Sequence, residues 1–219
     1  MRRRADTATA ELFPGAPVET IVPGALLLRG LVGDDAPALL HAIEEIAAAS
    51  PFRNMVTPGG YTMSVAMTNC GKAGWVTDRR GYRYAELDPS SEKPWPAMPP
   101  LFTELAARAA ATAGFADFAP DACLVNRYEP GARMSLHQDK DERDFTQPIV
   151  SISLGLPATF LFGGLKRSDK PKRLRLVSGD IVVWGGPARM VFHGIDPLAQ
   201  GADSLTDAFR YNLTLRKAL

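Results

Sequence analysis

The sequence predicts an α+β protein that is mainly β, with two helices and a sandwich or barrel of short strands. In two segments before residue 114, apolar residues recur every three to four positions, as they do on one face of a helix. After about residue 122, short β-rich runs are separated by Gly, Pro and Asp. A length of 219 residues, with 46% hydrophobic and 22% charged content, suits one well-buried domain. We therefore expect residues 1–219 to form a single domain.

The two predicted helices have recognisable ends. Asp34 and Asp35 supply capping chemistry for the first helix, and Pro37 suits its first turn. The second helix is predicted over residues 101–113, and Gly114 is its expected stop. The residues that follow the helical period are Leu39, Leu40, Ile43, Ile46 and Ala47 in the first helix and Leu101, Phe102, Leu105, Ala106, Ala109 and Ala110 in the second.

The strands are predicted from alternation and composition. Within residues 61–68 large apolar residues alternate with small or hydroxylated ones, which predicts one packed and one polar face. Seven more strands are predicted over residues 123–128, 149–156, 159–162, 174–177, 181–184, 190–193 and 209–215. Gly163-Gly164 and Ser178-Gly179-Asp180 are expected to form tight turns.

Two of the three histidines belong to one pattern of metal ligands, which comprises His137, Asp139 and the later His193. In an extended segment His137 and Asp139 project to the same side, so they can share one ion. Two imidazoles and one carboxylate on one face of a metal leave the other positions open, as in non-haem Fe(II) oxygenases. Because the same residue types also bind zinc, a zinc-dependent hydrolase or a non-catalytic binding module stays open.

The last predicted strand carries an anion-binding pattern. Arg210, Asn212, Thr214 and Arg216 are separated by even numbers and should share one face of the strand. Each guanidinium offers a planar fork that matches a carboxylate, so the pair could hold a dicarboxylic acid. Leu124, Asn126 and Tyr128 similarly share a face of an earlier strand and could supply amide and phenol donors. The alternative is a ladder of surface charges on an edge strand.

Two segments contain basic residues, one of them with aromatic residues as well, as nucleic-acid-binding surfaces do. The net charge of +1 does not by itself indicate a nucleic-acid partner. In the first, Trp75, Tyr82 and Tyr84 alternate with arginines in a stretch rich in turn formers, which suits a mobile lid over a nucleic acid. These aromatic residues could equally cover the core. The second is the basic run over residues 166–175, and most such runs are solvated surface.

The cysteines and the chain start bear on the compartment. Cys70 and Cys123 form no disulfide framework and are expected to be buried thiols in a reducing cytoplasm. The basic opening Met1-Arg2-Arg3-Arg4 is followed by Ala, Thr and Glu rather than by an apolar signal core. We expect neither export nor a membrane anchor.

These motifs together resemble the AlkB family of Fe(II)- and 2-oxoglutarate-dependent alkylation-repair dioxygenases. The family motif is present as Asn-x-Tyr at 126–128, His-x-Asp at 137–139, the distal His193, and Arg-x-Asn-x-Thr-x-Arg at 210–216. The resemblance extends from about residue 51 to residue 216 and includes segments 50–53, 55–71, 93–99 and 162–167. Leu161 and Met134 depart from the family, where glutamine and leucine are expected.

The resemblance implies a double-stranded β-helix, or jelly roll, with two supporting helices. Its core is expected over about residues 122–216, and about residues 51–98 are expected to contribute a nucleotide-recognition lid. It implies that His137, Asp139 and His193 bind the iron. The residues implied for 2-oxoglutarate are Asn126, Tyr128, Arg210, Asn212 and Arg216. The residues implied for the substrate are Trp75, Tyr82, Tyr84, Asp141, Arg167, Thr57, Tyr61, Met63 and Ser151.

The activity implied by the resemblance is direct reversal of DNA damage. Methyl groups on 1-methyladenine or 3-methylcytosine in single- or double-stranded DNA, with RNA as a further substrate, are removed with Fe(II), O2 and 2-oxoglutarate. Succinate, CO2 and formaldehyde are released. Trp75 would stack on the damaged base, and Asp141 would read its exocyclic amine. We expect a cytoplasmic monomer. An oxygenase that acts on a protein or a metabolite would use the same triad and arginines, and it remains a rival.

Overall fold

The computed structural model describes residues 17–219 and consists mainly of antiparallel strands. The basic residues 2–4, on which the prediction about export partly rests, lie outside this range. The helices are α1 (Ala36–Ala49) and α2 (Pro100–Thr112). The strands are β1 (Val18–Val22), β2 (Ala25–Leu28), β3 (Arg53–Val56), β4 (Thr62–Gly71), β5 (Gly74–Asp78), β6 (Gly81–Ala85), β7 (Ala122–Tyr128), β8 (Met134–His137), β9 (Ile149–Gly155), β10 (Ala158–Phe162), β11 (Lys172–Leu176), β12 (Ile181–Trp184), β13 (His193–Ile195) and β14 (Arg210–Arg216).

Two sheets build the body of the protein. The major sheet has eight strands in the order β1-β2-β12-β9-β14-β7-β4-β3, and the minor sheet has the order β11-β10-β13-β8. Strands β5 and β6 pair with each other and form a separate two-stranded hairpin. The mainly β prediction is confirmed, and the two antiparallel sheets are those of a jelly roll. Four strands that precede residue 122 join the major sheet, which therefore extends beyond the segment predicted as core.

The two faces of the major sheet have different neighbours. On one face Leu213 and Leu215 of β14 belong to an apolar cluster that includes Leu39 of α1 and Phe102 of α2. The opposite face of β14 looks toward the minor sheet and lines a pocket. Because side chains alternate along a strand, helix packing on one face leaves the other face free for polar residues. The pocket lined by polar residues of β14 therefore lies between the two sheets.

Both helices lie where they were predicted, and their ends differ from each other. Asp35 is the N-cap residue of α1, but its side chain makes no capping hydrogen bond. At the end of α2, Gly114 has a positive φ of 85°. The amides of Gly114 and Phe115 donate to the carbonyls of Ala111 and Ala110, which is the Schellman arrangement. Gly114 thus ends α2 as expected.

Two local predictions differ from the structure, and a third stays a prediction. The stretch predicted to form a mobile aromatic lid contains the β5–β6 hairpin, turned at Gly81 with a φ of 115°, and its role as a lid stays a prediction. The strand predicted over residues 190–193 begins only at His193, because a 3₁₀ turn at Gly186–Ala188 precedes it. Gly163 and Gly164 do not reverse the chain but hydrogen-bond to the backbone of Phe192. The turn expected at residues 178–180 is confirmed by a hydrogen bond from the amide of residue 180 to the carbonyl of residue 177.

The structure also describes the two cysteines and the apolar character of the helices. Cys70 and Cys123 are free and buried, as predicted, and they face each other across β4 and β7. Among residues 17–219, neither helix has the length and apolar character needed to cross a membrane.

Candidate active site

The metal-binding triad lies at one end of the minor sheet. Its histidines line the pocket between this sheet and the major sheet. His137 ends β8 and His193 begins β13, and the two residues are direct partners across these strands. Asp139 lies two residues beyond the end of β8, and its carboxylate oxygens are 3.7 Å from His137 Nε2 and 3.8 Å from His193 Nε2. The three ligand atoms lie within 4.8 Å of one another. This spacing suits one shared ion.

The backbone orients both imidazoles. Nδ1 of His137 lies 2.9 Å from the carbonyl oxygen of Ser135, and Nδ1 of His193 lies 3.1 Å from that of Val191. Because a carbonyl only accepts, each Nδ1 carries the hydrogen and donates it. Each Nε2 is therefore left as the lone-pair donor toward the centre.

The charges of the triad also suit a divalent cation. Burial lowers the pKa of His193 to about 4, so this imidazole is neutral at physiological pH. Burial by itself would raise the pKa of Asp139, but Arg216 and the two histidines hold it below its usual range. Two imidazoles and one carboxylate fit a metal such as Fe(II), with positions left for other ligands.

Arg216 at the end of β14 is committed to the triad carboxylate. Its Nε and Nη2 lie 3.0 and 2.7 Å from Asp139 Oδ2. Its Nε also lies 3.3 Å from an oxygen of Glu142. Burial alone would lower the pKa of Arg216, but the two carboxylates raise it above its ordinary value. Arg216 therefore balances the charge of the metal ligand.

Arg210 at the start of β14 has a different environment. It is fully buried, and its Nη2 and Nη1 donate to Ser153 Oγ at 2.9 Å and to the carbonyl of Leu156 at 3.3 Å. Among the described residues no carboxylate forms an ion pair with it, and its Nε has no hydrogen-bond partner. Burial lowers its pKa to about 10. A desolvated guanidinium of this kind attracts a carboxylate strongly.

The inner pocket between the sheets connects Arg210 to the triad. Asn126 Nδ2 donates to Asn212 Oδ1 at 3.2 Å, and Asn126 Oδ1 has no hydrogen-bond partner within the described part of the chain. Tyr128 is buried beside Arg210, and burial raises the pKa of its hydroxyl. The polar residues that line this pocket are Asn126, Tyr128, His137, Ser151, His193, Arg210, Asn212, Thr214 and Arg216. The predicted face of β14 therefore lines a pocket rather than the surface.

A larger groove opens on the other side of the triad. Trp75 and Tyr82 of the hairpin stack with ring centroids 5.6 Å apart and planes inclined by 20°. Trp75 Nε1 donates to Asp141 Oδ2 at 2.7 Å. The predicted substrate residues that line the groove are Thr57, Tyr61, Met63, Trp75, Tyr82, Asp141 and Arg167. His137, Asp139 and Arg216 also line it, so groove and pocket meet at the triad.

Two predicted substrate residues lie elsewhere. The hydroxyl of Tyr84 donates to Glu142 Oε1 at 2.7 Å, so Tyr84 turns away from the groove. Alternation puts Tyr84 on the same face of β6 as Tyr82, so its position outside the groove is due to its hydrogen bond with Glu142. Ser151 lies in the inner pocket, where its Oγ accepts a hydrogen bond from Asn212. The structure places both residues beside the metal and cosubstrate residues, and their predicted contacts with the substrate stay predictions.

The two departures from the family motif have different consequences. Met134 lines both the inner pocket and the groove. Leu161 lies on β10 opposite Gly194 and lines neither cavity within the described residues. The departure at Leu161 therefore lies outside the lining of both cavities.

Several residues of the site were not predicted. Arg133 and Lys140 line the groove and add positive charge to it. Their nearness to His137 in the sequence was the available signal. Glu142 and Arg189 form a buried ion pair behind the triad, and no sequence pattern announced it.

The arrangement of triad, inner pocket and sheets defines an iron- and 2-oxoglutarate-dependent oxygenase. The model of the 2OG-Fe(II) oxygenase superfamily matches residues 24–216. The alpha-ketoglutarate-dependent dioxygenase AlkB of Escherichia coli K12 is 60% identical over 91% of this chain and 93% of that protein. The AlkB homolog of Caulobacter vibrioides is 47% identical over 91% of this chain and 90% of its own length.

A solved structure supports the fold. The structure of OsALKBH1 superposes with a TM-score of 0.81 and 28% identity, and covers 92% of this chain and all of that chain. This chain belongs to the 2OG-Fe(II) oxygenase superfamily and, within it, to the AlkB dioxygenases. Its metal is Fe(II), held by His137, Asp139 and His193, and its cosubstrates are 2-oxoglutarate and O2.

Proposed function

We propose that this enzyme repairs alkylated nucleobases by oxidative demethylation, with 1-methyladenine and 3-methylcytosine in DNA as its main substrates. The supporting observation is the stacked pair of Trp75 and Tyr82 above the triad, with the Asp141 carboxylate beside it. An aromatic platform next to a carboxylate suits a flat, cationic ring. Succinate, CO2 and formaldehyde are the products.

The names of more distant relatives agree with this proposal. The tRNA demethylase abh1 of Schizosaccharomyces pombe is 36% identical over 57% of this chain and 41% of that protein. The DNA N(6)-methyladenine demethylase ALKBH1C of Arabidopsis thaliana is 40% identical over 45% of this chain and 24% of that protein. Both act on methylated nucleic acids, by their names. RNA is therefore proposed as a second substrate class.

2-Oxoglutarate binds in the inner pocket. Bound iron, 2-oxoglutarate and O2 together would supply the oxidising chemistry that removes hydrogen from an N-methyl group, with 2-oxoglutarate converted to succinate and CO2. Arg210 pairs with one carboxylate end of 2-oxoglutarate because no protein carboxylate competes for it among the described residues. Asn126, Tyr128 and Asn212 add polar contacts. Arg216 keeps Asp139 charged and fixed in position.

The substrate base is held in the groove. Trp75 stacks on one face of the base, and His137 contacts the other. Asp141 uses one carboxylate oxygen for Trp75, so the second can accept a hydrogen bond from an exocyclic amine. A methyl group on the pairing edge of a base is unreachable in a duplex, so the base must be flipped or single-stranded. Arg133, Lys140 and Arg167 are placed to meet phosphates.

The remaining parts of the proposal concern organisation. Residues 51–98 act as the nucleotide-recognition lid of one catalytic domain, because they supply Trp75, Tyr82 and the outer wall of the groove. The enzyme is proposed to act as a monomer. The two buried free thiols favour the reducing cytoplasm.

The decisive experiment is incubation with a methylated oligonucleotide, Fe(II), ascorbate and 2-oxoglutarate, followed by mass analysis of the base. We expect loss of one methyl group with stoichiometric formaldehyde and succinate. Matched reactions should omit O2 or 2-oxoglutarate. Activity that survives either omission would indicate a hydrolase, and succinate release without any change in the oligonucleotide would indicate a different substrate.

A further inference from the structure

A buried ion pair lies behind the metal triad and lines neither the pocket nor the groove. Arg189 is 3% exposed and Glu142 is 6% exposed, and Arg189 Nη2 lies 3.0 Å from Glu142 Oε2. Burying two charges costs solvation free energy, which their attraction only partly returns. The pair itself is therefore weak evidence for stability. Its other contacts reach the segments that carry the metal ligands.

Arg189 joins the two segments that carry those ligands. It precedes His193 by four residues, and its Nη1 donates to the carbonyl of Asp139 at 2.8 Å. Its Nε donates to the carbonyl of Gln147 at 3.1 Å. Asp139 lies beyond the end of β8, so no strand pairing holds its backbone. The guanidinium of Arg189 replaces that missing pairing.

Glu142 extends the connection to the groove. Its Oε1 accepts the hydrogen bond from Tyr84 and lies 3.3 Å from Arg216 Nε. Tyr84 is the direct partner of Trp75 across the β5–β6 hairpin. One carboxylate thus contacts the hairpin that supports the base platform and the arginine that holds the metal carboxylate.

We propose that Arg189 is a positioning residue that holds Glu142 and the Asp139 backbone, so that the hairpin carrying Trp75 and the metal carboxylate move as one unit. The inference rests on the proposed function, because it assigns to this network the coupling between base binding and oxidation. A base stacked on Trp75 acts through Tyr84 on the carboxylate of Glu142, which also contacts Arg216. Chemistry at the metal is then tied to the presence of substrate.

The first test measures metal affinity without turnover, by anaerobic titration with Co(II) followed through its visible absorption. Arg189→Met should weaken Co(II) binding about tenfold or more, the usual scale for outer partners of metal ligands. Arg189→Lys keeps the charge and should recover part of the loss. Arg53→Met is the matched control, since it breaks another ion pair to a buried carboxylate, Asp88. It should lower the melting temperature but leave Co(II) affinity unchanged.

The second test uses Tyr84→Phe, which removes one hydroxyl and keeps the ring. The ratio of formaldehyde to succinate should fall about threefold, the scale of altered coupling along a contact network. Co(II) affinity should stay within about twofold of the wild type, because the variant retains the contacts of Arg189 with Asp139 and Glu142.

The outcomes distinguish failure of the positioning proposal from failure of the proposed function. Wild-type Co(II) affinity in Arg189→Met, or an equal loss in Arg53→Met, overturns the positioning role. A wild-type product ratio in Tyr84→Phe overturns the coupling to the hairpin. If the wild-type enzyme releases no formaldehyde from any methylated oligonucleotide, the proposed function fails, and the Co(II) titration still decides the role of Arg189.

Discussion

Arg210 and Arg216 lie on the same face of β14, and both are buried, but their charges are balanced in different ways. Arg216 pairs with Asp139 and Glu142, and these carboxylates raise its pKa. Within residues 17–219, the hydrogen-bond partners of Arg210 are a hydroxyl and a carbonyl, and burial lowers its pKa to about 10. One end of the strand is complete within the protein, and the other requires an anion.

The difference shows how one strand face serves two purposes. A buried guanidinium that is already paired organises the protein, whereas one without a carboxylate binds a ligand. The metal triad lies at the paired end, beside Arg216. A dicarboxylic acid in the inner pocket therefore has one end directed to Arg210 and the other toward the metal, which is the orientation that 2-oxoglutarate requires.

The largest expected effect comes from removing the triad itself. His137→Ala, Asp139→Ala and His193→Ala should each abolish both demethylation and coupled succinate formation, because each deletes one of three metal ligands. The measurement is product formation by anaerobically iron-loaded protein. Near-normal turnover in any of the three variants would show that the metal is held elsewhere, and the contrast between the two arginines would lose its basis.

The next effect concerns the paired end of β14. Arg216→Met leaves two buried carboxylates without their cation and should lower the free energy of unfolding by about 3–5 kcal/mol. Arg210→Met is the matched variant, and it should leave stability unchanged or improve it, since no protein carboxylate loses a partner. Denaturant unfolding of both proteins without 2-oxoglutarate provides the comparison. Equal destabilisation by the two substitutions contradicts the division of roles.

The ligand-binding end is tested by cosubstrate saturation. Arg210→Ala should weaken binding of 2-oxoglutarate by about 2 kcal/mol or more, roughly thirtyfold, because a carboxylate loses its buried partner. Arg210→Lys should rescue poorly, since an ammonium lacks the planar fork. Oligonucleotide affinity, measured in parallel, should remain close to the wild-type value. A selective loss of DNA binding with normal 2-oxoglutarate saturation would assign Arg210 to the nucleic acid instead.

A smaller effect is expected in the groove, on the other side of the triad from Arg210. Trp75→Ala should cost about 1–3 kcal/mol of affinity for a methylated oligonucleotide, the scale for an aromatic stacking partner. Binding of Co(II) and 2-oxoglutarate should persist. Unchanged oligonucleotide affinity would rule out stacking on Trp75.

The smallest predicted change is in lesion ranking. Asp141→Ser and Asp141→Ala should reduce the preference for 1-methyladenine and 3-methylcytosine over 3-methylthymine, which is neutral and lacks the exocyclic amine. The measurement is kcat/KM for all three lesions in one oligonucleotide context, alongside substrate-free succinate production. A ranking equal to that of the wild type would remove Asp141 from base recognition while leaving the iron chemistry intact.

Local sequence patterns determined much of the fold and of the site. Both helices follow their apolar period, and Gly114 ends α2 through a backbone conformation that glycine adopts readily. Alternation alone placed the four polar side chains of β14 on one face and its leucines on the other. These features depend on neighbours close in the chain, and such neighbours are visible in a sequence.

Only the tertiary structure decided what each of those side chains contacts. Arg210 and Arg216 look alike in the sequence, and their roles diverge because Asp139 reaches one of them and not the other. Tyr84 donates to Glu142, a residue from a distant part of the chain, so this contact could not be predicted from the sequence around Tyr84. Pairing between remote segments selects the partner of a buried charge, and the partner determines its function.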